Sequence, residues 1–205
     1  MTDFSDGAEV ATGTKSRTRA DLLARRRTLG VAERARAATA VGGTLVDLVR
    51  RLRPRRATGY VPVGSEPGGD LPEVLRAALP PGAELLLPVL RDDLDLDWAG
   101  YSGPEALVAA GRGMREPAGP RLGRAAVAGA ELVVVPALAV DRRGIRLGRG
   151  GGSYDRALAR VPAGAWTVAL LHDGEFVDRL PAEPHDRPVR AVITPAGGLR
   201  ELTTA

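Results

Sequence analysis

The stretch GIRLGRGGGSYDRAL, Gly144 to Leu158, decides how this chain is read. Five glycines fall within its first nine residues, Arg146, Arg149 and Arg156 stand among or just beyond them, and Ser-Tyr-Asp opens a segment that reads as helix. An apolar run, ELVVVPALAVD over 131–141, comes just before it. The order is therefore buried strand, glycine-rich loop, helix start. In an open α/β sheet, ligands bind at the carboxyl ends of the strands. Glycine lets a backbone adopt positive φ and approach a ligand closely. The N–H groups it bares, with those of the following helix, make a site for an anion. Arg142, Arg143, Arg146 and Arg149 add positive charge, so a phosphate is the natural guest. The loop contains no lysine, which a P-loop requires before its Ser or Thr. A dinucleotide G-x-G-x-x-G begun at Gly148 and Gly150 would put its third glycine on Ser153. A different phosphate device is indicated.

Outward from the loop, strands and helices alternate. A basic helix is expected from Thr14 through KSRTRADLLARRRTL. A second follows, with Val41, Leu45, Leu48, Val49 and Leu52 on one face and Pro54 at its end. ATGYVPV (57–63) reads as a strand and GSEPGGD (64–70) as a turn-rich loop. Asp70 with Glu73 marks a helix start before LPEVLRAAL. AELLLPVL (83–90) is a strand covered on both faces, and DLDLDWAGY (93–101) alternates as a half-exposed strand would. Residues 102–123 are irregular, a flap or a short helix with loops. AWTVALLHD (165–173) is a strand, 174–189 a loop with at most a short helix, and RAVITPAG (190–197) the last strand. This pattern specifies an α/β fold, a single three-layer domain over 14–205 with a mostly parallel central sheet flanked by helices. Residues 1–13 are small and polar and are expected to be a disordered tail.

Composition narrows the function. There is no cysteine, which excludes a disulfide framework and thiolate metal sites. The start MTDFSDGAEVATGTK has neither the basic opening nor the apolar core of a signal peptide, and no apolar run reaches the ~20 residues of a membrane span. A cytoplasmic protein with no membrane partner is expected. The net charge of +4 rests on 29 basic and 25 acidic residues, and aromatics make up only 3%. That is few for base stacking, so no nucleic-acid partner is expected. Lys15 is the sole lysine among the 29 bases. Where arginine fills every other basic position, a lone lysine indicates a need for a compact ammonium.

The glycine loop resembles the signature of the 5-formyltetrahydrofolate cyclo-ligases, or methenyltetrahydrofolate synthetases, roughly G-x-R-L-G-x-G-x-G-[YF]-Y-D. KSRTR (15–19), YVPVGSEP (60–67), GMREP (113–117), VVVPALAVD (133–141) and LPAEPHDRPV (180–189) are similar to further elements of that family, in its order. The resemblance implies a monomeric enzyme that joins the N5-formyl group to N10 of tetrahydrofolate, with ATP as co-substrate and Mg2+ as cofactor. The formyl oxygen attacks the γ-phosphate, N10 attacks the activated carbon, and phosphate departs. No protein nucleophile is required, as suits a chain with two histidines, His172 and His185.

The resemblance also implies roles. Lys15 and Arg146 carry the catalysis. ATP is bound by Lys15, Ser16, Arg17, Thr18 and Arg19 and by Arg146, Leu147, Gly148, Arg149, Gly150, Gly151, Gly152, Ser153 and Tyr154. Val61 and Glu66, with Arg149, Gly150, Gly151, Gly152 and Ser153, bind the folate, and Asp155 and Asp186 hold Mg2+. Glu116 is a further candidate for the folate pocket. Trp98 and Tyr101 are read as packing residues. His185 is read as support for the loop that carries Asp186. Ser153 departs from the pattern, since the family commonly has an aromatic there. The rival reading is a non-catalytic nucleotide- or RNA-binding module that uses the same arginine-rich loop.

Overall fold

Two helices lead the chain: α1 (Ser5–Thr28) and α2 (Val31–Leu52). The computed structural model describes residues 5–202, with 5–13 and 112 described by backbone alone. The backbone of α1 thus begins inside the stretch expected to be a tail, while residues 1–4 lie outside those described. Helix α2 buries Val41, Leu45, Leu48 and Val49, the stripe its periodicity sets out. It ends where Arg53 turns left-handed and donates its N–H to the Val49 carbonyl, just before Pro54.

The strands that follow are β1 (Arg56–Thr58), β2 (Glu84–Leu90) and β3 (Leu96–Gly100), with α3 (Leu71–Ala78) between the first two. A small hairpin, β4 (Leu107–Ala109) and β5 (Arg115–Pro117), comes next. Then come β6 (Leu132–Pro136), β7 (Ala139–Asp141), β8 (Arg146–Leu147) and α4 (Ser153–Leu158). The chain closes with β9 (Trp166–Leu170), β10 (Phe176–Val177), β11 (Ala191–Thr194) and β12 (Gly198–Glu201). The main sheet runs β12-β11-β9-β6-β1-β2-β3. Its five central strands are parallel, and the edge strands β12 and β3 are antiparallel.

Side-chain alternation sends Leu132 and Val134 of β6 to one face and Val133 and Val135 to the other. The first pair packs with α2 and α3 through Leu45, Leu48, Leu71 and Leu75. The second packs with Trp98, Val127, Ala157 and Leu158. Both faces are covered, which is why β2 and β6 read as unbroken apolar runs. This is the three-layer, mostly parallel α/β domain the sequence specifies.

The structure corrects several expectations. The strand expected over 57–63 stops at Thr58. A Cβ on the next residue, Gly59, would lie 2.6 Å from Leu75 Cδ1, so a larger residue there would push the Leu75 side chain of α3 out of its place. The helix start expected at Asp70 is found, with Asp70 capping α3 without a side-chain bond. Glu73 is turned instead to Arg76 and the Tyr101 hydroxyl, which together hold its pKa down to about 2. The half-exposed reading of 93–101 is wrong, since Asp95 and Asp97 are buried. Asp95 pairs with Arg160 and Arg124, and Asp97 accepts the Gly123 N–H, so a loop and two arginines cover this edge. The irregular 102–123 segment contains the hairpin β4–β5, β6 and β7 divide the apolar run of 131–141, and β12 follows the expected last strand.

Asp141, at the end of β7, is wholly buried. It accepts the N–H groups of Arg143, Ile145 and Leu180 and the Arg143 guanidinium. Burial pushes its pKa up, but the Leu180 N–H and the Arg143 and Ile145 bonds outweigh that, so the carboxyl sits below its usual value. Its stabilising contribution is therefore complete above about pH 4 and is lost as pH falls through the folded value. Asp141→Asn is expected to cost roughly 1–3 kcal/mol at neutral pH and to flatten the acid limb of stability, as read by urea unfolding between pH 3 and 7.

Candidate active site

Lys15 and Arg19 lie one turn apart on α1, on the same helix face. The Lys15 side chain is buried, and its Nζ reaches Asp186 Oδ2 at 2.8 Å and Glu183 Oε2 at 3.5 Å. The acids are presented by a tight turn in which Asp186 Oδ2 also accepts the Glu183 N–H and the Asp186 N–H donates to the Glu183 carbonyl. Arg19 Nε donates to the Gly148 carbonyl at 3.0 Å, so the helix and the glycine loop share one wall.

The loop is entered through β8. Gly150 and Gly152 have φ of +103° and +66°, values only glycine adopts readily, and Gly152 caps α4. Arg146, buried, meets Asp155 Oδ1 at 3.1 Å and the Pro136 carbonyl at 3.4 Å, with its guanidinium 5.6 Å from the Tyr154 ring centre. Its Nε is buried without a hydrogen-bond partner among the described residues. Burial pushes the Tyr154 phenol above its usual range, so it stays neutral. Arg149 Nε meets Glu66 Oε1 at 3.0 Å, and Glu66 Oε2 accepts the Val63 N–H.

These groups line one cavity of about 520 Å3. It gathers Lys15, Arg19, Val61, Glu66, Arg146 to Tyr154, Asp155 and Asp186, drawn from four separated parts of the chain. Pro88, Leu90, Leu96 and Met114 supply an apolar wall, and Glu116 joins it while accepting the Leu90 N–H. Ser16, Arg17 and Thr18 are not brought in: Ser16 and Arg17 are exposed, and the Thr18 hydroxyl bonds the Thr14 carbonyl. Arg142 and Arg143 also face elsewhere, paired with Asp178 and Asp141, so only Arg146 and Arg149 of the four expected loop arginines line the cavity. Trp98 and Tyr101 are buried packing residues outside it. His185 Nε2 lies 3.2 Å from Glu183, beside the turn that carries Asp186.

Glu183 was not singled out from the sequence. Its signal there is its place in LPAEPHDRPV, an acid three residues before Asp186. Glu183, His185 and Asp186 place one ligand atom each within 4.8 Å of one another. Asp155 and Asp186 suit Mg2+ by donor type, since a hard cation takes a few carboxylate oxygens and completes its shell with water and phosphate. Among the described residues, the two hydrogen bonds that the Asp155 carboxylate accepts fall on Oδ1.

The sequence model of the family described as the 5-formyltetrahydrofolate cyclo-ligase family matches residues 11–195. A 5-formyltetrahydrofolate cyclo-ligase of Mycolicibacterium smegmatis is 45% identical over 193 residues, 92% of this chain and 97% of that one. The solution structure of the Aquifex aeolicus 5,10-methenyltetrahydrofolate synthetase superposes with a TM-score of 0.77 at 29% identity, covering 93% of this chain and 94% of that one. A synthetase of the same description from Mycoplasma pneumoniae shares the fold, with a TM-score of 0.68 at 17% identity over 87% of this chain and 96% of that one. No described helix is long and apolar enough to cross a membrane. By the match across nearly its whole length and by the identity to the mycobacterial relative, the chain belongs to the 5-formyltetrahydrofolate cyclo-ligase family.

Proposed function

We propose that this protein uses ATP to convert 5-formyltetrahydrofolate to 5,10-methenyltetrahydrofolate, releasing ADP and phosphate. The observation that carries the reading is the one cavity that gathers Lys15, Arg19, the glycine loop, Glu66 and an apolar wall. Its size is that of a small-molecule site. Phosphoryl transfer needs both ligands in one such space, in line and away from water.

The formyl oxygen attacks the γ-phosphorus as the bond to the ADP oxygen breaks. N10 adds to the phosphorylated formyl carbon, the C–O bond breaks, and phosphate leaves as N10 loses its proton. The protein's part is to position and to stabilise charge. The Lys15 ammonium exchanges Asp186 and Glu183 for phosphate oxygens. Arg146, held by Asp155 and Tyr154, keeps a fixed positive charge beside the loop. The Glu66 carboxylate accepts from the aminopyrimidine edge of the pterin. Asp155 and Asp186 would hold a Mg2+ ion, which neutralises charge on the phosphates when bound.

The test is turnover of the purified protein with 5-formyltetrahydrofolate, ATP and Mg2+, followed by absorbance of the methenyl product. Absence of ATP-dependent product sinks the reading. In the same assay Asp155→Ala and Asp186→Ala are each expected to raise the Mg2+ midpoint by about tenfold or more. An unchanged midpoint removes that residue from the metal site.

Ser153 lines the cavity where the family commonly has an aromatic. Trp98 and Tyr101 do not reach this wall, so neither fills the space of the missing ring. Ser153→Tyr is expected to lower the folate dissociation constant about threefold to tenfold, the worth of one offset ring stack, and to leave ATP binding unchanged. Calorimetry with each ligand separately checks it, and weaker folate binding would mean that the pocket has been repacked.

A further inference from the structure

Beyond the cavity wall lies a run of buried polar groups with no part in the chemistry above. Arg26, Glu175 and His172 are 1%, 5% and 6% exposed. Arg26 comes from α1, the helix that bears Lys15 and Arg19. Its guanidinium grips Glu175 with two bonds, Nε to Oε1 at 2.6 Å and Nη2 to Oε2 at 2.7 Å, and also donates to the Ala137 carbonyl. Glu175 Oε2 accepts the His172 N–H at 2.8 Å, and the Glu175 N–H closes the turn onto the His172 carbonyl. The His172 ring then reaches 107 residues back in the chain, with Nε2 2.9 Å from the Ser65 carbonyl oxygen.

Topology gives this path its meaning. Strands β1, β6 and β9 are consecutive neighbours in the sheet and run parallel. Ala137 directly follows β6, His172 follows β9 after one residue, and Ser65 lies in the loop beyond β1. The network therefore ties the segments leaving the carboxyl ends of three adjacent strands to one another and to α1. A carbonyl oxygen can only accept, so Nε2 of His172 must carry the proton. The Ser65 carbonyl and the Glu66 N–H belong to one planar peptide group. His172 holds the carbonyl side of that plane, and the Val63 carbonyl holds its N–H at 3.3 Å. With the plane held on both sides, the backbone from which the Glu66 side chain springs is fixed, and the carboxylate it carries meets Arg149 Nε and the Val63 N–H on the cavity wall.

We infer that His172 is a positioning residue for Glu66: its Nε2–H fixes the Ser65–Glu66 peptide and so sets the direction of the folate-binding carboxylate. The inference rests on the reading that Glu66 meets the folate. Arg26 and Glu175 hold the turn from which His172 works.

The test compares two substitutions of similar bulk. His172→Leu fills the space without a donor, and His172→Gln can donate from nearly the same place. In the Leu variant the KM for 5-formyltetrahydrofolate should rise about fivefold to tenfold, the loss of one buried hydrogen bond. The KM for ATP should stay within twofold of the parent, roughly the scatter expected for an uncoupled site. The Gln variant should recover most of the folate KM. Amide hydrogen exchange of the 63–68 segment gives a second readout that needs no turnover. It should quicken in His172→Leu and return toward the parent in His172→Gln. His172→Met carries both measurements if the Leu variant does not fold. A Leu variant with parental folate KM and parental exchange overturns the inference. So does a parallel rise in both KM values that Gln fails to correct, since that is the mark of a loosened fold. If the parent itself makes no methenyl product, the proposed function fails, and the exchange measurement alone decides whether His172 holds the Glu66 peptide.

Discussion

Lys15→Met is expected to lower kcat by about 10²–10³-fold, the usual effect of removing one preorganised charge that acts on the transition state. The methionine stem fills the space of the lysine stem, so packing against α1 is kept. The charge that should follow the transferring phosphoryl group is lost. Asp186 loses its 2.8 Å cationic partner but still accepts the Glu183 N–H, so the turn that carries it keeps one of its ties. Lys15→Arg should recover only part of the rate. A planar guanidinium is larger, and the site is sized for an ammonium between Asp186 and Glu183. Single-turnover rates with saturating ATP, read beside thermal unfolding, separate lost chemistry from lost structure. A variant that turns over like its parent would remove Lys15 from the mechanism.

The largest stability effect is expected at Glu175. Glu175→Ala leaves the Arg26 guanidinium, 1% exposed, without its counter-charge. Breaking a buried pair from one side costs about 3–5 kcal/mol. At ~2–4 °C per kcal/mol for a chain of this size, the fall in Tm should be about 10 °C. Arg26 Nη1 already lacks a partner among the described residues, so the site has little polar reserve with which to rehydrate the charge. Replacing both partners by apolar groups, Arg26→Met with Glu175→Leu, should restore much of the loss, because the penalty lies in the unpaired charge. Calorimetry on the single and double variants checks this. A single variant as stable as the parent would mean that water reaches Arg26.

The fold was legible where one physical signal dominates. The stripe of α2 and the two-sided apolar runs of β2 and β6 have no competing explanation, and they fix the layers. The same is true of the glycine loop, since a backbone with φ of +103° and +66° at two positions leaves little choice of residue. The readings fail where tertiary partners override local pattern. Asp95 and Asp97 alternate with apolar residues as an exposed face would, and Arg160, Arg124 and the Gly123 N–H, supplied from 26 to 65 residues away, help to make their burial tolerable. The helix start at Asp70 holds, but Glu73 is turned to Arg76 and Tyr101, partners that no local pattern announces. In the site, Arg142 and Arg143 look like their loop neighbours in one dimension, yet Asp178 and Asp141 draw them off. His172 and Glu175 carry no motif, and Glu183 is one unmarked position within LPAEPHDRPV. Their roles arise from contacts between segments far apart in sequence.

The pairing of charge along the cavity also bears on how ligands arrive. Five cationic side chains line it, Lys15, Arg19, Arg115, Arg146 and Arg149, and so do five carboxylates, Glu66, Glu116, Asp155, Glu183 and Asp186. The far field of such a lining nearly cancels, and beyond a Debye length of about 8 Å little of it survives. On the proposed function, a polyanionic nucleotide would therefore gain little pull from the charges of this cavity while still in solution. On the same reading, its discrimination would begin only after arrival, as Lys15, Arg146 and Arg149 trade internal carboxylates for phosphate oxygens. Selection by exchange at close range favours the ligand whose groups match the spacing of the pairs and gives no advantage to one that is merely more negative.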